Sequence, residues 1–174
     1  MTDSPPADAR PEPLAPEQLL QRFKDLGIET TTHDHPPLMT VEDSKRLRGD
    51  LPGGHCKNLF LKDRKDRYWL VVTSEDRKVD LKALDKLLGT RLSFASPERL
   101  WQVLGIRPGA VTPFALVNDT AVQVEVILDQ AMMAESLLNY HPLVNTKTTA
   151  IRPSDLLRFI EACGHRPRTL NLDI

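Results

Sequence analysis

Two apolar stretches, residues 57–62 and 68–74, flank a five-residue segment, 63–67, in which every residue is charged. That pattern confines the chain more than any other feature. Each stretch is too short to be a helix of ordinary length, and a charged loop separates them, so the pair predicts a β-hairpin. In the first strand Lys57, Leu59 and Leu61 share one face, and Asn58, Phe60 and Lys62 share the other. A lysine in line with two leucines either snorkels to water or borders a pocket. Gly53 and Gly54 stand just before it, where a missing side chain lets backbone or ligand approach closely.

Punctuation along the chain gives the remaining elements. Residues 1–15, with Pro5, Pro6, Pro11 and Pro13, read as a disordered proline-rich lead, and 16–174 as a single domain. Pro16 opens a helix carrying Leu19, Leu20, Phe23 and Leu26 and closed by Gly27. Residues 28–32 read as a strand, broken by the segment 33–37. Thr40 can cap a short helix over 41–47. Asp80 caps a helix with Leu81, Leu84, Leu87 and Leu88. Residues 92–94 form a short strand, and Ser96-Pro97-Glu98 starts another helix. Residues 112–117 and 121–128 predict a second hairpin around Asn118-Asp119. Asp129 opens a short helix, 147–151 is a strand, and Ser154 caps a last helix ended by Gly164. Hairpins dominate and strict β-α alternation is absent. The expected fold class is therefore mixed α/β, a largely antiparallel sheet or barrel with packed helices.

Charge and composition remove several functions. The net charge of −1 argues against a general polyanion-binding surface, and no apolar run approaches a membrane span. Two cysteines and no export signal point to a reducing, cytoplasmic setting. Locally, though, residues 44–67 hold eight Lys/Arg against three Asp, a patch of +5 that can hold phosphates or can be a solvated hairpin face. From it, Lys45 and Arg64 are candidates for contact with a nucleic acid. His33, His35, His55 and Cys56 lack the spacing of a metal site, so neither metal nor cofactor is expected. Cys56 sits beside Lys57, yet neighbours on a strand face opposite ways, so it reads as a packed thiol. The loop 104–113 contains Gly105 and Gly109, whose neighbouring amides could hold a carbonyl or oxyanion. The segment 141–149 is polar between apolar neighbours.

Five motifs occur in order: K-N-L-F-L-K-D, D-R-K-V-D-L-K-A-L, L-S-F-A-S-P-E-R-L, L-G-I-R-P-G-A-V-T-P-F-A-L-V-N-D and H-P-L-V-N-T-K-T-T. Together they resemble the YbaK/prolyl-tRNA synthetase-associated domain family, and most closely its free-standing branch of alanyl-tRNA(Pro) deacylases. The resemblance implies hydrolysis of the ester that joins a wrong amino acid to tRNA. It places the pocket lysine on Lys57 with Asn58 beside it, the glycine-containing substrate loop on Gly109, Ala110, Val111, Thr112 and Pro113, and the pocket-shaping histidine on His141. Lys62 and Arg91 become contacts to the tRNA end or acceptor stem. Aminoacyl-tRNA is the implied substrate, prolyl-tRNA synthetase a partner to test, and no cofactor is called for. The rival readings are the same chemistry on a cysteinyl or seryl ester, a non-catalytic module that binds the tRNA end, and a metal-dependent hydrolase.

Overall fold

The hairpin forms as expected and is the spine of the molecule. The computed structural model describes residues 10–37, 42–43, 46 and 51–174. β1 is Thr31–Asp34, β2 Gly54–Asp63, β3 Tyr68–Ser74, β4 Leu92–Phe94, β5 Val124–Asp129, β6 Leu138–Tyr140, β7 Lys147–Ile151 and β8 Arg168–Leu170. The α-helices are α1 Pro16–Asp25, α2 Leu81–Leu88, α3 Pro97–Leu104, α4 Gln130–Met133 and α5 Pro153–Ala162. The eight strands join in the order β1-β7-β6-β2-β3-β5-β8, with β4 added to β2. Among these pairings, β1–β7, β6–β7, β2–β3 and β2–β4 are antiparallel, whereas β2–β6, β3–β5 and β5–β8 are parallel. The sheet is thus mixed.

β3 is buried on both faces, as a central strand with helices to either side should be. Leu70 and Val72 face a large core with Leu19, Phe23, Phe114, Phe159 and Ile160; Trp69 and Val71 face a smaller one with Leu61, Leu84, Leu92 and Leu172. In the large core the rings of Phe23, Phe114 and Phe159 meet at centroid distances of 5.0 to 5.7 Å, tying α1 and α5 to the segment after the glycine loop.

The second hairpin does not exist. Residues Pro113–Asn118 form a 3-10 helix, and β5 pairs in parallel with β3. Pro113 has no N–H to give a ladder and fits the first turn of a helix, while Thr112 Oγ1 accepts the Phe114 N–H at 3.3 Å. All six residues of that helix are buried, so no polar-out alternation was possible. Asn118 and Asp119 are interior hubs, not turn residues. Asn118 Nδ2 donates to Leu104 O, and its Oδ1 accepts from Leu14 N–H, both at 3.0 Å. Arg10 donates to the carbonyls of Trp101 and Asn118 at 3.2 and 3.1 Å, fastening residues 10–15 of the proline-rich lead.

Three boundaries also move. β1 begins at Thr31 and takes in His33 and Asp34, because pairing with β7 and the Lys147–Asp34 ion pair extend it. The last helix is capped by Arg152, not Ser154: Pro153 fills its first position, which puts the cap two residues earlier. The short strands β6 and β8 were not anticipated. Of the helix expected over 41–47, Glu42, Asp43 and Arg46 are helical; the rest, with its Thr40 cap, lies outside the described residues.

The charged hairpin loop is held from inside. The Asp63 carboxylate is buried and accepts from Lys65 N–H, Arg67 N–H, Arg67 Nε and Trp69 Nε1 at 2.8 to 3.1 Å. Burial pushes its pKa up, but these four donors outweigh it and bring the group down to about 2. A carboxylate depressed in the folded state stabilises the fold above its unfolded pKa of about 3.9. That contribution, about 2 kcal/mol, is lost as pH falls towards 2. In denaturant titrations the stability gap between wild type and Asp63→Asn should therefore be open at pH 6 and close as pH drops from 4 to 2. A gap independent of pH would refute this assignment.

Candidate active site

β2 changes partners, and the site is the place where it does so. Gly54 and His55 pair in parallel with Leu138 and Asn139 of β6, and Cys56 to Lys62 pair with β3. Beyond His55, β2 and β6 part, leaving a cleft of about 280 Å³. β2 lines it with Cys56, Lys57 and Asn58, β6 and the residue after it with Tyr140 and His141, the loop with Gly109 and Val111, and Glu75 and Thr148 complete the wall. The volume sits at the low end of the roughly 300–1,000 Å³ usual for small-molecule pockets. A larger groove of about 890 Å³ beside α1 and β1 contains none of the residues singled out from the sequence for chemistry except His33.

Close backbone packing makes this parting possible. A Cβ on Gly53 would lie 2.9 Å from Leu137 O, and Gly53 has φ +100°, so only glycine lets the two segments touch there. Asn139 Nδ2 then ties them together by donating to Pro52 O and Gly54 O at 3.0 and 3.2 Å.

The register of β2 fixes where its main-chain groups point. Glu75 N–H bonds His55 O and Asp63 N–H bonds Arg67 O, so odd-numbered residues of β2 are the hydrogen-bonded pairs with β3. Even-numbered residues turn to the other edge, as the bond from Ala95 N–H to Phe60 O confirms. At Asn58 that edge is covered by neither β4 nor β6. The main-chain N–H of Asn58 therefore faces the cleft side, and among the described residues it has no partner.

The side chains complete the arrangement. Asn58 Nδ2 donates to Val111 O at 3.0 Å and pins the glycine loop against β2, while its buried Oδ1 has no partner among the described residues. Gly109, at φ +91°, turns that loop. The Ala110 N–H is already given to Arg107 O at 3.2 Å, which leaves the amides of Gly109 and Val111 without a partner among the described residues. Lys57 is half-buried, and its ammonium has neither hydrogen bond nor ion pair among the described residues. His141 Nδ1 donates to Lys147 O at 2.8 Å; burial lowers its pKa, so the ring is neutral near pH 7 with Nε2 as an acceptor. Burial pushes the Cys56 thiol up to about 12, which removes it as a nucleophile.

Lys57, Asn58, Gly109, Val111 and His141 thus meet at one cleft, whereas Ala110, Thr112 and Pro113 build the loop without lining it. Lys62, Arg64 and Arg91 come together in a separate depression with Ser93, at the far end of β2. Lys45 lies outside the described residues. Arg67, counted in the basic patch, is spent on Asp63. Among the described residues no group of three or more His, Cys, Asp or Glu could hold a metal ion, and no helix is long and apolar enough to cross a membrane. Glu75, Asn139 and Tyr140 were missed from the sequence. Tyr140 could have been found as the neighbour of His141; Glu75 depends on the β2–β3 register, and Asn139 on an unforeseen strand.

Residues 35–159 match the model of the aminoacyl-tRNA editing domain. This chain belongs to that family. It is 36% identical over 160 residues to the prolyl-tRNA editing protein ProX of Acetoanaerobium sticklandii, covering 91% of this chain and 98% of that protein. It is 40% identical over 160 residues to the prolyl-tRNA synthetase associated domain-containing protein 1 of Danio rerio, covering 90% of this chain and 87% of that one. A solved structure described as a candidate trans-editing enzyme for prolyl tRNA synthetase has the same fold, with a TM-score of 0.68 at 19% identity over 97% of this chain and 99% of that one.

Proposed function

We propose that this member of the editing family hydrolyses alanyl-tRNA(Pro) in trans. The observation that carries the reading is the cleft mouth: the Lys57 ammonium beside the Asn58 main-chain N–H, neither with a partner among the described residues, above a cavity of about 280 Å³. A synthetase pocket built for proline cannot fully exclude alanine, since a missing methylene gives only about 1–3 kcal/mol of discrimination. A second, smaller pocket that admits alanine and shuts out proline supplies the rest, which is double-sieve editing.

The aminoacyl ester is activated, so an attacking water suffices. Water adds to the carbonyl carbon, the carbonyl oxygen takes up negative charge, and the ribose oxygen leaves with a proton; free alanine and an intact 3′ end result. The amides of Asn58, Gly109 and Val111 steady the oxyanion, and Lys57 holds the terminal phosphate and the developing charge; the open amides and the free ammonium at one cleft among the described residues support this reading. The substrate's own vicinal hydroxyl can assist the water. His141, neutral and anchored through Nδ1, shapes the amino-acid pocket. Lys62, Arg64 and Arg91 supply phosphate contacts for the acceptor end. A cytoplasmic setting and a working association with prolyl-tRNA synthetase belong to the same proposal; the unpaired Cys56 and Cys163 suit the first.

The test is a panel of alanyl, seryl and cysteinyl esters on one tRNA(Pro) body. Alanine should be released with the highest kcat/KM. A clear preference for serine or cysteine would move the enzyme to another substrate, and binding without turnover would make it a tRNA-end-binding module.

A further inference from the structure

β4 carries an aromatic ring where a strand would ordinarily hide one. Leu92 and Phe94 lie on the same face of β4 by strand alternation. Leu92 is buried in the smaller core with Leu61 and Leu84, but Phe94 is 61% exposed. The other exposed large apolar residues described, Leu87, Val122 and Ile174, are aliphatic. A single exposed apolar side chain needs no explanation on its own. The surroundings of Phe94 give it one.

Phe94 is paired with Leu61, so its ring shares the face of β2 that bears Leu61, Leu59 and Lys57. Lys57 lies four residue steps back along β2 from that pair, about 13 Å at the usual strand rise. Between them, short of the Ala95–Phe60 bond, lies the edge on which the Asn58 main-chain N–H has no partner among the described residues. One step along the ladder, on the opposite face of the sheet from the ring, Lys62 faces Ser93, and Arg64 and Arg91 stand next to them. No hydrogen bond or ion pair engages these three cations among the described residues. The order along β2 is therefore a cationic depression, an exposed aromatic ring, an uncovered strand edge and the candidate catalytic cleft.

We propose that Phe94 is the stacking platform for one unpaired nucleobase at the 3′ end of the tRNA. The cations hold the phosphates of the stem, the ring takes the face of one base, and the tail continues to Lys57 with its ester. One ring cannot make the extended platform of a single-strand-binding protein, in keeping with an aromatic content of only 5%. It can fix the path of a short tail, because every base offers a π-face. The inference rests on the editing reading and adds to it how the flexible end is guided.

Steady-state deacylation of alanyl-tRNA(Pro) by the full chain tests it. Phe94→Ala should raise KM roughly tenfold or more with kcat little changed. Phe94→Trp should keep the wild-type KM, and Phe94→Leu should behave like alanine. Replacing the stacked base by an abasic nucleotide should abolish the difference between wild type and Phe94→Ala. An unchanged KM in Phe94→Ala, or full function in Phe94→Leu, would overturn the stacking role while leaving the editing reading intact. So would a variant that acts normally on free aminoacyl-tRNA yet loses binding to a synthetase, since the ring would then be a protein contact. A wild-type chain inactive on every aminoacyl ester would remove the editing reading and this inference with it. Since the ring is exposed, the thermal midpoint of Phe94→Ala should match wild type, which separates loss of binding from loss of fold.

Discussion

Lys57→Ala should slow deacylation of alanyl-tRNA(Pro) by about 10²–10³-fold, the effect expected when one preorganised partner of developing charge is removed. The ammonium has no protein partner among the described residues, so its removal leaves no orphaned charge behind and the fold should persist. The split between kinetic constants carries the mechanism. If Lys57 only holds the terminal phosphate, KM rises while kcat stands; if it also meets the charge of the transition state, kcat falls. The second pattern is expected, because Lys57 and the open amide of Asn58 are adjacent at the cleft mouth. A variant as fast as wild type would take Lys57 out of the chemistry.

Asp119→Ala should cost stability by about 3 kcal/mol or more. The carboxylate is buried and accepts three bonds: from Gln123 N–H and Val124 N–H at 3.0 Å, and from His165 Nε2 at 2.9 Å. An ionised carboxylate only accepts, so Nε2 is the donor in this bond; Nδ1 has no partner among the described residues. Removing Asp119 strands a buried imidazole and two main-chain donors at once. It also frees the end of the 3-10 helix that follows the glycine loop. Chemical denaturation should show a lowered midpoint with an unchanged slope. A loss below 1 kcal/mol would mean that water or a rotated His165 replaces the bonds.

These two residues show how unevenly the sequence spoke. Lys57 was legible because local alternation places it beside Leu59 and Leu61, and alternation needs no knowledge of the rest of the chain. The same held for helices announced by caps: Asp80 and Ser96 each accept a main-chain N–H as expected, from Lys82 and Arg99. Asp119 was misread because Asn-Asp between two β-branched runs is good turn chemistry. Its role depends on His165, 46 residues away, which no local pattern reveals. β6 and β8 were missed for a related reason. Each is three residues long, and each owes its existence to a neighbour already in the sheet.

The cleft followed the same division. Its residues on β2 and in the glycine loop could be named from motifs, since those motifs are contiguous. Their meeting could not, because it depends on β2 leaving β6 after His55 and running on beside β3 before β4 joins it at Leu61. The open edge at Asn58 is likewise a property of register, and so is the opposition of Phe94 to Leu61. Three of the loop residues selected from the sequence turned out to shape the loop instead of lining the cavity. Proline and a capping threonine are spent on the 3-10 helix, and the Ala110 amide on Arg107.

The central claim is that a small cleft destroys an ester bearing alanine and spares the one bearing proline. The most direct measurement is the rate of amino-acid release from alanyl-tRNA(Pro) and from prolyl-tRNA(Pro), side by side, with the purified full chain. Rapid loss of alanine with prolyl-tRNA(Pro) surviving at its uncatalysed rate is the predicted result. Equal hydrolysis of both esters, or of neither by a folded chain, would contradict it.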